Sequence, residues 1–327
     1  MSALRKVQRT PSGTFFVCLP KAWAEKYNLE RGAVLALNET SDGKLLLDAR
    51  HEAEPSPKVA VLKPGVHLSR EIIGKYLLGF DIIQVEAKDR ISFEVRDIVK
   101  KTVSRLIGLE IVEENYSRIV IQCLLEVSGF PPEKNLRRGY AIVTGMHRDG
   151  IDAVIDNDVH LAKSVVARDD EVNRLYFLLV RILRTIIQNP SLSEKLNVRP
   201  IDCLDYRLAA SLVEAIGDEC VNIANTVIEV GNLKLTKDLK KLLMGLHAVC
   251  FEAHENALKA FLSNDIELAE KVRDIRGKID AEFAEIGKVA KEQSFDFVPQ
   301  ILALASSLKQ IYEHSVDVAD LVMPREA

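Results

Sequence analysis

Apolar residues recur along the chain with two different periods, and the change between them divides the sequence. Before about residue 130, short apolar runs and alternating positions lie between turn residues, a pattern typical of strands and short helices. After residue 135, apolar positions follow at three-and-four spacing almost to Pro324, which is typical of amphipathic helices. The pattern therefore predicts a mixed front part and an all-helical remainder.

The first fifty residues hold the shortest elements. A Pro-Gly turn joins the first two strands, and Pro20 begins a short helix that stops before Gly32. The order is β-β-α-β-β, which buries little surface alone and leaves strand edges that invite pairing with a second copy. We therefore expect a homodimer or a higher even oligomer. The predicted strands are 4–9, 14–19, 34–37 and 44–47.

A polar linker with two prolines, around residues 50–58, precedes a second unit. The order from 58 to 130 is β-α-β-α-β-β, which predicts a small α/β domain. It carries no Gly-rich phosphate loop, metal-ligand spacing or nucleophile motif, so a connecting or dimerising role is expected.

The helical remainder contains an internal repeat. "HRDGIDAVIDNDVHLAKSV" (147–165) matches "HENALKAFLSNDIELAEKV" (254–272) at an offset of 107. Residues 210–225 match 305–320 at an offset of 95, and the difference is assigned to a long break at 189–202. The prediction is two repeats of three helices each, about 135–230 and 237–324, with an Asn-Asp pair capping the second helix of each.

Charge is distributed unevenly. The formal net charge of the 327-residue chain is −4, but residues 1–31 hold six basic and only two acidic residues. This asymmetry indicates an anionic partner for the front end, with a solvated surface as the alternative. Five scattered cysteines and the lack of a signal-like or membrane-spanning apolar segment favour a reduced, cytoplasmic protein without membrane insertion.

The front unit contains a set of spaced features: Lys6-Val7-Gln8, the 10–13 turn, Phe16–Lys21, Trp23, Leu29, Gly32 and Gly43. Through these features it resembles the AbrB/MazE/SpoVT swapped-hairpin DNA-binding domain over roughly residues 3–50. In that family, two copies interlock their hairpins into one dimeric barrel. The resemblance and the local charge predict DNA as a partner; a β-rich oligomerisation module without nucleic acid is the alternative. The expected DNA contacts are Arg5, Lys6, Arg9 and Lys21.

Three stretches of the helical part, 169–176, 214–224 and 311–319, add to the repeat. With them, the helical part resembles the PhoU family of phosphate-uptake regulators over about residues 135–324. The resemblance implies two three-helix repeats, and the whole arrangement is similar to archaeal-type PhoU regulators. The expected fold class is therefore multidomain α+β: a swapped-hairpin domain at 1–50, a small α/β domain at 58–130 and an all-α bundle at 135–324.

Members of the PhoU family bind iron or zinc through E/DxxxD motifs, since carboxylates at i and i+4 share one helix face. Repeat one has Asp169 with Asn173, and Glu214 with Asp218. We expect these four residues to hold any bound divalent or iron ion, with a solvated acidic face as the alternative.

Repeat two breaks the metal pattern. Arg276 and Lys309 stand where the first ligands should be, and they are expected to pair with Asp280 and Glu313 instead. His147 and His254 share a repeat position, and a packing or capping role is expected for them. His314, beside Glu313, is left open between metal binding and packing.

These features predict a DNA-binding transcriptional regulator of phosphate uptake. The alternative is a PhoU-like adaptor that restrains a phosphate transporter or sensor kinase without binding DNA. A metal-sensing or metal-storage scaffold is a third possibility. No enzyme motif is present, so no catalytic residue is assigned.

Overall fold

A computed structural model describes residues 4–39, 43–49, 57–293 and 297–323. The chain divides into two compact units, Met1–Ser56 and Pro57–Ala327. Helices dominate the second unit, and sheets are small, which agrees with the predicted mixture of an α/β front part and a helical remainder. The 58–130 segment and the bundle both belong to the second unit, and the predicted domain boundary between them stays a prediction.

The first unit consists of two hairpins around one helix, in the predicted order. Antiparallel pairing joins Gln8 to Phe16 and Ala36 to Asp48, so that two separate two-stranded sheets form. Gly13, at a φ of 95°, closes the first turn with a bond from its N–H to the carbonyl of Thr10. The elements are shorter than predicted: β1 (Gln8–Arg9), β2 (Phe15–Phe16), α1 (Lys21–Lys26), β3 (Ala36–Glu39) and β4 (Leu45–Asp48).

The described part of the front unit lacks a buried core of its own. Every side chain whose burial is described within residues 4–39 and 43–49 is at least partly exposed. The exposed set includes large apolar side chains that ordinarily lie inside a fold. The prediction that this unit is incomplete without a second copy rests on these residues: Leu4, Val7, Phe15, Val17, Val34, Leu37 and Leu45.

The second unit begins with a four-stranded sheet in the predicted β-α-β-α-β-β order. The spatial order of its strands is β5-β6-β8-β7, with β5 parallel to β6 and the other pairs antiparallel. Alternate residues Ile83 and Val85 are buried together with Ile72 and Val99 of the two helices. The elements are β5 (Val59–Leu62), α2 (Leu68–Leu77), β6 (Ile82–Glu86), α3 (Phe93–Ser104), β7 (Leu109–Glu114) and β8 (Arg118–Cys123).

The helical part follows the repeat, with two corrections. The predicted long break at 189–202 contains a short helix, and the second helix of repeat two is divided at Ile275. Repeat one contains α4 (Pro132–Asp156), α5 (Val159–Gln188), α6 (Pro190–Leu196) and α7 (Asp202–Val230). Repeat two contains α8 (Lys237–Ser263), α9 (Ile266–Asp274), α10 (Arg276–Ala290) and α11 (Val298–Ala319).

The predicted caps explain why the second helices begin where they do. Asn157 and Asn264 adopt left-handed φ angles of 54° and 55°, which ends the first helix of each repeat. Asp158 then accepts bonds from the N–H groups of His160 and Leu161, both at 2.9 Å. Asp265 accepts from Leu268 N–H at 3.0 Å. These carboxylates satisfy backbone donors that a helix start leaves free.

A buried arginine attaches the α/β part to the bundle. Arg181 of α5 is only 3% exposed, and its Nη1 donates to the carbonyls of Tyr76 (2.6 Å) and Phe80 (3.0 Å). Its guanidinium also lies 5.0 Å from the centre of the Tyr76 ring. The carbonyls belong to the end of α2, where a cation is favoured. This contact helps to fix the orientation of α2 against α5.

Candidate functional site

Two helices of repeat one bring the predicted carboxylates together. Asp169 lies on α5, whereas Glu214 and Asp218 lie one turn apart on α7, which packs against α5. Burial, followed by the charge of Asp218, raises the pKa of both Asp169 and Glu214. Burial, followed by the charge of Glu219, raises the pKa of Asp218. The three carboxylates form a concentration of negative charge that the fold does not neutralise fully.

Asn173 supports this group through its amide. Its Nδ2 donates to Oδ2 of Asp169 at 2.8 Å, which leaves Oδ1 of Asp169 buried and without a hydrogen-bond partner. A buried carboxylate oxygen without a donor is costly. The orphaned oxygen is therefore the strongest local reason to expect a cation here.

Cations border the carboxylates without pairing fully with them. The charge of Arg105, at the end of α3, opposes the rise in the pKa of Asp169, and that of Arg207 opposes the rise for Glu214. Arg207 lies over the Tyr176 ring, 4.8 Å from its centre. Arg105 is the contribution of the α/β part to the electrostatics of this face.

The donor chemistry fits a hard divalent cation, because all the side chains offer oxygen. Across the described ranges, however, no three His, Cys, Asp or Glu side chains are grouped closely enough to hold a metal ion as they stand. The assignment of Asp169, Asn173, Glu214 and Asp218 to metal binding therefore stays a prediction.

Repeat two replaces the carboxylates with ion pairs among the four residues that the sequence predicts, but each pair joins two helices, which the sequence did not predict. Arg276 donates from Nη1 and Nη2 to the two carboxylate oxygens of Glu313, each at 2.8 Å. Lys309 donates to Oδ1 of Asp280 at 2.6 Å, and this bond lowers the pKa of Asp280. Both acidic residues are satisfied by protein cations, so this face offers no vacant pair of carboxylates.

The repeat-related histidines meet each other, which the sequence did not predict. Nδ1 of His147 lies 3.3 Å from Nδ1 of His254, and both side chains are fully buried. His247 joins them, with its Nδ1 3.3 Å from Nε2 of His147. The sequence signal for this contact was that His147 and His254 occupy equivalent repeat positions, since repeat-related helices can meet across a local axis. Packing is confirmed for both, and neither caps a helix.

His314 belongs to a different location. Its Nδ1 is 3.8 Å from Oδ2 of Asp317 on the same helix, and it has no hydrogen-bond partner. The structure favours partial packing on α11 over a place in a metal cluster.

The predicted DNA contacts are spread over the front unit. Arg5 donates to the carbonyl of Leu4 at 3.2 Å, and Lys6 is exposed. The guanidinium of Arg9 lies 5.3 Å from the centre of the Phe15 ring. Lys21 makes an exposed ion pair with Glu25 at 3.6 Å, a local partner that the charge count did not reveal. These positions leave DNA contact as a prediction.

Comparison with known families now connects the repeat to a wider group. The PhoU domain model matches residues 136–227 and 243–322, which together cover more than half of the chain and both three-helix repeats. The chain belongs to the PhoU family. The resemblance inferred from the repeat is confirmed for this part, whereas the AbrB/MazE/SpoVT resemblance of the front unit stays a prediction.

Individual PhoU proteins give the same result. The phosphate-specific transport system accessory protein PhoU homolog of Xylella fastidiosa (strain 9a5c) is 24% identical over 180 residues, or 53% of this chain and 74% of that protein. PhoU from Pseudomonas aeruginosa matches with a TM-score of 0.54 and 21% identity over 60% of this chain and 95% of that one. The phosphate transport system regulatory protein PhoU from Streptococcus pneumoniae matches with a TM-score of 0.50 and 16% identity over 58% of this chain and 91% of that one. These solved structures establish the shared fold.

Within the described residues, no helix combines the length and the apolar character that a membrane crossing requires.

Proposed function

We propose that this protein is a PhoU-type regulator that acts on a phosphate transport system through its helical bundle. The single observation that supports this proposal is the match of the family model to both repeats. The names of the Xylella fastidiosa and Streptococcus pneumoniae relatives associate them with phosphate transport. Regulation by protein contact needs no active site, which agrees with the absence of an enzyme motif in the sequence. This is the adaptor function.

DNA binding by the front unit is the second candidate. It is supported by exposed cations on a small β-rich unit whose apolar side chains call for a second copy, so that a homodimer would present Arg5 and Arg9 twice. Contacts of this kind are expected mainly with phosphates and would weaken steeply with salt. This candidate assigns the front unit to an operator and the bundle to sensing.

One experiment separates the two functions. The gene is deleted in its own cell, and uptake of radiolabelled phosphate is measured at high and low external phosphate. We expect deletion to uncouple uptake from external phosphate, and the wild-type chain to restore control. The doubly substituted Arg5→Ala/Arg9→Ala chain should restore control equally under the adaptor function.

The same complementation has clear contrary outcomes. Failure of a folded Arg5→Ala/Arg9→Ala protein, together with loss of binding to upstream DNA in a gel-shift assay, would establish the DNA-reading function instead. Unchanged uptake after deletion would contradict the link to phosphate transport under either function.

A further inference from the structure

Three histidines form a continuous chain between the first helices of the two repeats. We call His247, His147 and His254 the histidine chain, in the order of their contacts. His147 uses its two nitrogens on opposite sides of the ring, Nε2 toward His247 and Nδ1 toward His254, each at 3.3 Å. His247 is half-buried, whereas the other two are fully buried. The chain therefore runs from near the surface into the contact between α4 and α8.

Counting protons shows how the chain can be satisfied. Each of the two nitrogen–nitrogen contacts needs one proton, and each neutral imidazole carries one. Both contacts form when two rings donate in the same direction: His247 to His147 and His147 to His254, or the reverse. One added proton on His147 preserves both contacts but places a charge in the core. A second added proton, on His247 or on His254, would place an N–H group on both sides of one contact, so that neither nitrogen could accept.

Among the residues that the structure describes, no carboxylate pairs with the three histidines to stabilise that charge. Tyr140 and Phe251 make edge-on contacts with the ring of His254, and Nε2 of His254 is buried without a partner. Arg148 is the charged group that acts on the chain, and it disfavours protonation of His247. Other titratable groups lie near α4 or α8, and none of them is among the groups that shift the pKa values of the three histidines. They are Arg168 of α5 (paired with Asp149), Cys220 of α7, Glu282 of α10 (facing Gly245 and Cys250) and Tyr312 of α11. On α9, Arg273 is paired with Glu270 and Asp320.

We propose that the histidine chain is a proton-sensitive latch that joins repeat one to repeat two while its imidazoles are neutral and releases the contact between α4 and α8 in mild acid. This device goes beyond the proposed regulatory function, because it concerns how the bundle opens and not what it binds. The two repeats are connected in sequence only through residues 231–236, so noncovalent contacts between helices determine whether they stay together.

The pKa shifts agree with the geometry. Burial lowers the pKa of His247 to about 4 and that of His254 to about 3. Burial and its two histidine neighbours hold the pKa of His147 well below its ordinary value. For a histidine whose folded-state pKa is depressed, stability is lost as pH falls below the unfolded value of about 6.5. Open states are therefore favoured as pH falls from about 6.5 toward the folded-state values.

Hydrogen exchange read by mass spectrometry tests the latch in the full-length protein. Protection factors, corrected for intrinsic exchange, are compared at pH 7.5 and 5.5. Opening coupled to protonation should lower protection in α4 and α8 by about tenfold per histidine, or about a thousandfold for the chain. Strands β6 and β8 should keep their protection, because no histidine lies in them.

His247→Gln is the informative variant, since a half-buried position tolerates substitution better than the buried ones. It should retain the fold and reduce the loss of protection by about tenfold, to about a hundredfold. His160→Gln, at an exposed position on α5, is the matched control and should behave like the wild type. Unchanged protection of α4 and α8 at pH 5.5 would overturn the proposal. A loss shared equally by the sheet, or an effect of pH identical in His247→Gln and the wild type, would overturn it as well.

Discussion

The repeat offers a matched pair of substitutions that should change stability in opposite directions. Asp218 of repeat one and Glu313 of repeat two occupy equivalent positions, yet Asp218 adds to a group of carboxylates whereas Glu313 accepts two bonds from Arg276. Asp218→Asn removes repulsion and should stabilise the metal-free protein. Glu313→Gln removes an attractive pair and should destabilise it.

The expected magnitudes are small because both sites are partly exposed. Asp218 lies one helical turn from Glu214, where like charges cost about 0.2–0.5 kcal/mol, and Asp169 adds a similar amount. Asp218→Asn should therefore raise the free energy of unfolding by about 0.5–1 kcal/mol. Arg276 and Glu313 are 49% and 29% exposed, so the loss of their bidentate pair should cost about 1 kcal/mol. The two variants should differ by roughly 1.5–2 kcal/mol.

The assay is urea unfolding of the full chain at pH 7, at low ionic strength and with EDTA. Raising salt to about 1 M should shrink both effects, because the screening length then falls to about 3 Å. The benefit of Asp218→Asn should also disappear in acid. A carboxyl with a raised folded-state pKa contributes stability that is present below its unfolded pKa and lost as pH rises through the folded-state pKa.

Adding a divalent cation such as Mn²⁺ makes the comparison sharper. If the repeat-one carboxylates bind it, the wild type gains about 2.7 kcal/mol at a hundredfold excess over Kd. Asp218→Asn then becomes destabilising, whereas the effect of Glu313→Gln stays the same. The electrostatic reasoning is refuted if Asp218→Asn and Glu313→Gln destabilise the metal-free protein equally.

Two further predictions concern the contacts of each unit. Arg181→Leu should lower the free energy of unfolding in urea by about 3 kcal/mol or more, because the carbonyls at the end of α2 lose a buried donor. The control, Arg184→Leu at an exposed position on the same helix, should change it by less than about 0.5 kcal/mol. Equal effects would contradict the docking role. Sedimentation should show the full chain as a dimer or higher even oligomer at micromolar concentration. Phe15→Glu in the front unit should shift it toward monomer, whereas Phe93→Glu on α3 should not, although both side chains are largely exposed. A wild-type monomer would contradict assembly through the front unit.

Local rules explain why some of the structure was predictable. The Asn-Asp pairs set helix ends through backbone geometry and one carboxylate, so the boundaries near Asp158 and Asp265 follow from short sequence windows. The charged residues of the ion pairs in repeat two could also be predicted, because the repeat places a cation at each position where the family has an acidic residue. Spacing alone identifies the capping residues, whereas in repeat two it identifies the four charged residues and the packing of α10 on α11 decides which of them pair.

Contacts between distant segments were not predictable in the same way. His247 does not belong to the matched repeat stretches, and it reaches His147 only because α4 and α8 pack together. In the sequence, Arg181 cannot be told apart from the exposed charged residues of an amphipathic helix. Only the fold places it against the end of α2. The division of repeat two at Ile275 has no counterpart in α5, whose equivalent residue, Arg168, continues the helix. Such features depend on three-dimensional packing, which periodicity does not determine.

The two repeats share a backbone plan but differ in what their equivalent faces can do. In repeat two, Arg276 and Lys309 hold the opposing carboxylates, so an added cation would have to displace a protein partner that is already hydrogen-bonded. On the equivalent face of repeat one, Asp169, Glu214 and Asp218 lie close together with raised pKa values, and a cation would relieve repulsion rather than compete. A ligand that binds only one of two packed repeats changes their relative stability, because it stabilises that repeat and not the other. Any response of the bundle to cations should therefore begin at the α5–α7 face of repeat one.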